Sequence, residues 1–249
     1  MRENIVKKGS RKQILSLLIN QRQYCRQSCN IQGVLIMESR SVKIRSLQNS
    51  NVALKIIPGH FATGYSHVNY YLDMTSMKTR LNEAMETALT MAKQYDSDLV
   101  VDTIVCMDGC EVIGGFLAHE FSRKGILSMN AHKTFYVISP EYNNGQLFFR
   151  ENNLAAVSGK HILLLVASVT TGNTVRKSLE CIKYYGGLIQ GISAIFSAVD
   201  RIEDMEVHTI FKHKDIPEYN TYPSEFCPFC KENHKIEAFI NGYGYTRLT

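Results

Sequence analysis

No apolar run among the 249 residues approaches the roughly 18 consecutive positions that a membrane-spanning helix needs. The start, MRENIVKKGSRKQ, lacks the continuous apolar core of a secretory signal. Both absences point to a cytoplasmic protein with no membrane partner. The chain has no internal repeat and no low-complexity segment. The Gly-Lys-Ser/Thr ending of a Walker loop is absent, and so is the Gly-x-Gly-x-x-Gly dinucleotide turn. Basic charge is scarce beyond the N-terminal stretch: of a formal net charge of +5, residues 1–26 carry +6, through seven Lys or Arg against Glu3, which leaves −1 for everything after. A near-neutral body argues against an extended nucleic-acid face. The basic stretch itself reads as a solvated amphipathic helix, with contact to RNA or a partner as the alternative. Seven cysteines, an odd number without a spaced framework, read as reduced thiols rather than disulfides. Cys106, Cys110 and Cys181 sit in apolar settings, where cysteine behaves as a small core residue.

What is present is an ordinary globular composition, 45% hydrophobic and 20% charged, enough for one well-buried core with accessory elements or for two small domains. A helix is expected over residues 10–24, followed by short strands in GVLIMES, VKIRSL and NVALKII, ending near Pro58-Gly59. From residue 75, Met77, Leu81, Ala84, Met85, Ala88, Leu89, Ala92 and Tyr95 recur at spacings of three and four, the pattern of an amphipathic helix with Thr75 or Ser76 as its N-cap. A strand (99–106), the turn MDGC, a helix (111–123) with a stop at Gly125, and a strand (133–139) come next. A polar, mobile segment then leads to the strand HILLLV, a helix (174–185), the Gly186-Gly187 stop and the strand LIQGISAIFSAV. Alternating helices and near-continuous apolar strands predict an α/β fold, a parallel sheet flanked by helices. Three regions follow: 1–74, a small N-terminal α+β subregion; 75–205, the α/β core; and 206–249, a C-terminal extension.

In such a sheet, ligands bind beyond the carboxyl ends of the strands, where CMDGCEV and ASVTTGN both fall. The second loop is the more telling. A buried strand running into Thr170-Thr171-Gly172-Asn173-Thr174 and then a helix gathers backbone N–H groups, hydroxyls and a helix N-terminus around one point, an arrangement suited to phosphate. The plainer reading is a threonine that simply caps the helix.

ILLLVASVTTGNT resembles the phosphoribosyl pyrophosphate signature of type I phosphoribosyltransferases, and VVDTIVCMDGCEVIGGFLAHEF resembles their pyrophosphate-loop strand and helix. The nearest resemblance is to the orotate phosphoribosyltransferases. It spans roughly residues 51–200 and implies a type I phosphoribosyltransferase-like fold with a hood formed by the N-terminal subregion. It also implies a homodimer and transfer of a phosphoribosyl group from phosphoribosyl pyrophosphate to a pyrimidine base, assisted by magnesium. Under this resemblance Thr170, Thr171, Gly172, Asn173 and Thr174 cradle the 5-phosphate. Asp108 and Gly109 lie beside pyrophosphate, and Lys55, Tyr70 and Tyr71 face the base. The family's mobile loop has no match between Lys133 and Lys160; Lys133 is the nearest candidate for its catalytic cation and Arg150 the next, with a surface position for both as the alternative. The family's acidic pair, which holds the ribose hydroxyls, falls here on Val166 and Ala167, or on Ala167 and Ser168 if shifted by one residue. No register supplies a carboxylate, so either Asp73, Asp102, Asp108 or Glu111 substitutes, or the chain is a non-catalytic nucleotide-sensing module.

Near the end, EFCPFCKENH carries Cys227-x-x-Cys230 and His234, a spacing that suits half of a zinc knuckle. Structural thiols and a redox pair are the competing readings, and a zinc-stabilised interaction protein is a further functional one. The missing ligands are sought at Cys25 and Cys29 or at His208 and His213. His60 and His67, flanking Gly64, read as a surface loop or as lining of the base pocket.

Overall fold

The computed structural model describes residues 37–123 and 134–248. The helix expected over 10–24, Cys25, Cys29, Gly125 and Lys133 lie outside them. The fold is that of the unit Val42–Thr249. In chain order it contains β1 (Val42–Arg45), β2 (Ala53–Ala62), β3 (His67–Asp73), α1 (Thr75–Thr79), α2 (Leu81–Ala92), β4 (Thr103–Cys106), α3 (Glu111–Arg123), β5 (Tyr136–Ile138), β6 (Glu141–Asn143) and β7 (Gln146–Phe148). After these come β8 (His161–Val169), α4 (Asn173–Tyr184), β9 (Leu188–Ser197), β10 (Arg201–Ile202), β11 (Met205–Lys212), β12 (Thr221–Tyr222), α5 (Pro228–Lys231), β13 (Ala238–Asn241) and β14 (Gly244–Arg247).

The larger sheet has the order β10-β11-β9-β8-β4-β5. It is parallel from β11 to β5, and β10 closes one edge antiparallel. β8 runs through its middle: Ile162, Leu163, Leu164 and Leu165 are fully buried, each contributing about 1.5–3 kcal/mol of apolar burial. Both faces of this strand are apolar because helices cover both sides of the sheet. No helix among the described residues is long and apolar enough to cross a membrane.

The second sheet has the order β12-β3-β2-β13-β14, with β1 paired to β2. Its composition departs from the sequence expectation. β2 continues through Pro58-Gly59, where the register with β3 shifts in a bulge that absorbs the proline. The C-terminal extension builds both sides of the β2–β3 hairpin: β12 pairs antiparallel with β3, and β13 pairs parallel with β2. The connection between them, residues 223–237, therefore crosses from one side of that hairpin to the other.

Other differences are local. The helical pattern beginning at residue 75 divides at Arg80, whose φ of −96° and ψ of 129° are extended, and α1 begins after Met74 without a side-chain cap. The strand expected over 99–106 narrows to β4, and residues 37–39 are helical rather than extended. The polar segment after residue 140 holds the β6–β7 hairpin, on which Arg150 makes a two-pronged contact with Glu141, both at 2.7 Å.

Candidate functional site

β8 and β4 run parallel, with Cys106, the last residue of β4, paired to Leu165, four residues before β8 ends at Val169. The loops that follow them therefore emerge at the same end of the sheet. After β8, the chain passes Thr170 and Thr171 and reaches Gly172, whose φ of 80° and ψ of 1° are left-handed, before α4 starts at Asn173. A side chain at Gly172 would be strained by this conformation and would press on Ile202. Arg176, one turn into α4, braces the loop by donating to the Thr171 carbonyl at 3.1 Å and to Asn173 Oδ1 at 3.4 Å. The N–H groups of the first turn of α4 have no partner within the helix, and no side chain caps them. A cleft of about 420 Å³ opens beside this loop, lined by Tyr65, Thr170, Thr171, His213, Tyr219 and Asn220 among others.

After β4, Asp108 and Gly109 both have positive φ, 58° and 76°. Their tight turn delivers the chain into α3. Asp108 is half-buried, and the desolvation of its carboxyl raises its pKa above the ordinary 3.8, opposed by the Lys78 charge and by a hydrogen bond from the Ala167 N–H. Lys78, itself buried, donates to the Asp108 carbonyl at 2.9 Å and to the Gly242 carbonyl at 2.5 Å. Gly242 belongs to the turn between β13 and β14. That turn, Asn241 to Gly244, lies over the end of β8: a narrow gap between them is lined by Tyr71, Lys78, Ala167, Ser168, Gly242 and Tyr243, among others.

Of the positions on which the family's acidic pair falls, Val166 and Ala167 are each 1% exposed, with Val166 in the core formed with Val105, Val169 and Ile192, whereas Ser168 is half-buried and lines the gap under Gly242. Of the four substitute acids, Asp102 is held by the His161 ring at 2.8 Å, at the opposite end of β4 and β8. Asp73 pairs with Lys55 at 3.3 Å, and Glu111 accepts from Ser139 Oγ at 2.6 Å. Asp108 is the one that reaches Ala167. Magnesium binds through one or two carboxylates together with substrate phosphate, whereas the Asp108 carboxyl is engaged by the Ala167 N–H and has Gly242 packed on it. The residues present do not fit that ion, and no step is drawn through it.

The candidate base contacts are divided. Tyr71 is buried against Tyr245, with ring centroids 5.1 Å apart, whereas Tyr70 stacks near Tyr219 at 6.5 Å, as alternation along β3 requires. Lys55 sits opposite Asp73 in the β2–β3 register. The cleft beside Thr170 and Thr171 is lined by Tyr65, His213 and Tyr219 instead, and neither these residues nor Lys78 are marked by any local motif.

The largest correction concerns His60 and His67. They are not surface-loop residues, and neither lines the cleft beside Thr170 and Thr171. Both are buried, and they lie together with Cys227 and Cys230, with the ligating atoms of all four within 4.8 Å of one another. His208 is elsewhere, its ring 4.6 Å from that of Tyr95, and His213 lines the cleft.

No family model matches the chain. Among curated proteins, it is 25% identical over 185 residues to orotate phosphoribosyltransferase of Chlorobium phaeobacteroides, covering 74% of this chain and 88% of that one. It is 28% identical over 178 residues to the enzyme of the same name from Pelotomaculum thermopropionicum, covering 71% and 86%. Among solved structures, orotate phosphoribosyltransferase of Mycobacterium tuberculosis in complex with phosphoribosyl pyrophosphate superposes with a TM-score of 0.43 at 14% identity, over 58% of this chain and 82% of that one. The chain is a distant homologue of the orotate phosphoribosyltransferases, and is phosphoribosyltransferase-like at low identity.

Proposed function

We propose that this protein binds the 5-phosphate of a phosphoribosyl ligand on Thr170, Thr171, Gly172, Asn173 and Thr174, and that it senses the ligand rather than transfers its phosphoribosyl group. Phosphoribosyl pyrophosphate and pyrimidine nucleotides are the ligands in view. A phosphate dianion placed against the start of α4 meets N–H groups and hydroxyls, and the adjoining cleft has aromatic walls, Tyr65 and Tyr219, for a base.

The observation that carries the non-catalytic half is the occupation of the acid positions by buried Val166 and Ala167. Transfer passes through a ribosyl cation leaving pyrophosphate, and rate depends on charge placed at both ends. A charge-assisted hydrogen bond contributes roughly 1.5–3 kcal/mol, so losing two costs on the order of 10²-fold or more. The second reading, an active transferase of the orotate type, is favoured by the names of the curated relatives.

Titration calorimetry with phosphoribosyl pyrophosphate and with uridine monophosphate, with and without magnesium, tests the phosphate loop. Saturable binding that Gly172→Val abolishes is expected, and no binding, or binding unchanged in the variant, overturns the assignment. Incubation with orotate and phosphoribosyl pyrophosphate tests the chemistry: formation of orotidine monophosphate at an enzyme-like rate replaces the sensor by the transferase.

A further inference from the structure

We propose that His60, His67, Cys227 and Cys230 form a tetrahedral zinc site that clasps the C-terminal segment onto the β2–β3 hairpin. The four side chains come from two places far apart in sequence. His60 lies on β2, His67 opens β3, and the cysteines flank the first turn of α5, with Cys227 as its N-cap. His60 Nε2 is 3.1 Å from His67 Nδ1, 3.5 Å from Cys227 Sγ and 3.7 Å from Cys230 Sγ, and Cys230 Sγ is 3.3 Å from His67 Nδ1. Zinc–nitrogen bonds of about 2.0 Å and zinc–sulfur bonds of about 2.3 Å at tetrahedral angles place ligand atoms about 3.3 Å apart for two nitrogens and about 3.5 Å apart for nitrogen and sulfur. The four separations above lie within about 0.2 Å of these values, and all six are below 4.8 Å.

Three further features belong to a built site rather than to a chance gathering. His60 Nδ1 lies 2.9 Å from the His234 carbonyl. A carbonyl only accepts, so Nδ1 carries the proton and Nε2 presents its lone pair to the cluster, the outer-shell arrangement of metal-bound histidines. The Phe229 ring, between the two cysteines, stacks on His60 with centroids 5.3 Å apart and an interplanar angle of 23°. Cys227, His60 and His67 are buried while Cys230 is exposed, which leaves an entry path from one side. Two thiolates and two imidazoles, all four positions filled by protein, select zinc as a structural rather than a catalytic ion.

The position explains why such a site is useful. Residues 223–237 must cross the β2–β3 hairpin before β13 can pair with β2, and that crossing contains few apolar side chains to hold it down. The metal fastens its midpoint, and the backbone takes over directly afterwards: the Glu237 N–H donates to the His60 carbonyl at 2.8 Å.

The full-length chain, purified without chelator, is analysed for metal content by mass spectrometry, then stripped and reconstituted with cobalt(II). About one zinc per chain is expected, with cobalt giving intense tetrahedral d–d bands and sulfur-to-metal charge transfer, and with both signals lost in His67→Ala and Cys230→Ser. Chelation should speed proteolysis within residues 223–237 by about tenfold or more, because metal binding is coupled to folding. No zinc in the isolated chain together with a weak octahedral cobalt spectrum overturns the site. A Cys227–Cys230 disulfide in metal-free, freshly purified protein overturns it in favour of a redox pair. Reconstitution uses the unsubstituted chain, so the outcome stands even where a variant fails to fold.

Discussion

Gly242 packs directly on the Asp108 carboxyl, and the two residues share one cation, the Lys78 ammonium, through their backbone carbonyls. A methyl group at position 242 would overlap the Asp108 carboxyl itself. Gly242→Ala is therefore expected to lift the β13–β14 turn away from the 108–109 loop. Overpacking of this kind costs about 1–3 kcal/mol. Urea unfolding should show that loss, and cleavage at the turn by a non-specific protease should be faster than in the parent chain. Unchanged stability and unchanged cleavage would mean that the turn does not rest on Asp108.

Lys78 is expected to be the strongest single stability determinant of this contact. Lys78→Met keeps the apolar stem but removes the donor that both carbonyls use, leaving two half-buried acceptors to find water. Leaving a fully buried group unmet costs about 1–3 kcal/mol, so chemical denaturation should register a loss up to that range. The Asp108 carboxyl, which the Lys78 charge now pulls down against the effect of burial, should titrate higher in the variant. Carboxyl-carbon NMR reads that shift.

The elements around the Thr170–Thr174 loop were legible in the sequence because each is local. β8 is an unbroken apolar run, α4 follows with its own periodicity, and Gly172 stands between them at the left-handed turn. α3 matches its expected span, Glu111–Arg123, for the same reason. The contacts made across long separations were not legible. His60 and Glu237 are 177 positions apart, and His60 and Cys227 167 apart. No local pattern states that β13 joins β2, so His60 and His67 read as loop residues and the cysteine pair read as half a site. The same distance concealed the Gly242–Asp108 contact. Here the plain apolar character of Val166 and Ala167 was visible, but the chain segment lying over them was not.

Alkaline pH should destabilise the fold through Tyr219. Burial pushes its pKa from 10.0 up to about 12, whereas the unfolded chain loses the phenolic proton near 10.0. The unfolded state therefore gains from ionisation first. The contribution is fully present below pH 10 and is lost as the pH rises toward 12. A shift of this size corresponds to about 2–3 kcal/mol at most. Tyr219→Phe has no proton to lose, and its stability curve should be flatter than the parent's over that interval by up to this amount. Parallel curves from pH 9 to 12 would show that Tyr219 is not sequestered from solvent.

Tyr243 offers a way to separate the two ends of the candidate site. Its side chain is 72% exposed, yet it stands beside Gly109 at the tip of the covering turn. Tyr243→Ala should cost little stability, within about 0.5 kcal/mol, as for surface positions generally. It removes bulk from the pyrophosphate end and leaves Thr170–Thr174 untouched. Calorimetry should then show severalfold tighter binding of phosphoribosyl pyrophosphate and unchanged binding of uridine monophosphate, which has a 5-phosphate but no pyrophosphate. Equal gains for both ligands would place the effect of Tyr243 at the phosphate or base end. No gain for either would mean that Tyr243 does not limit access to the Asp108-Gly109 turn.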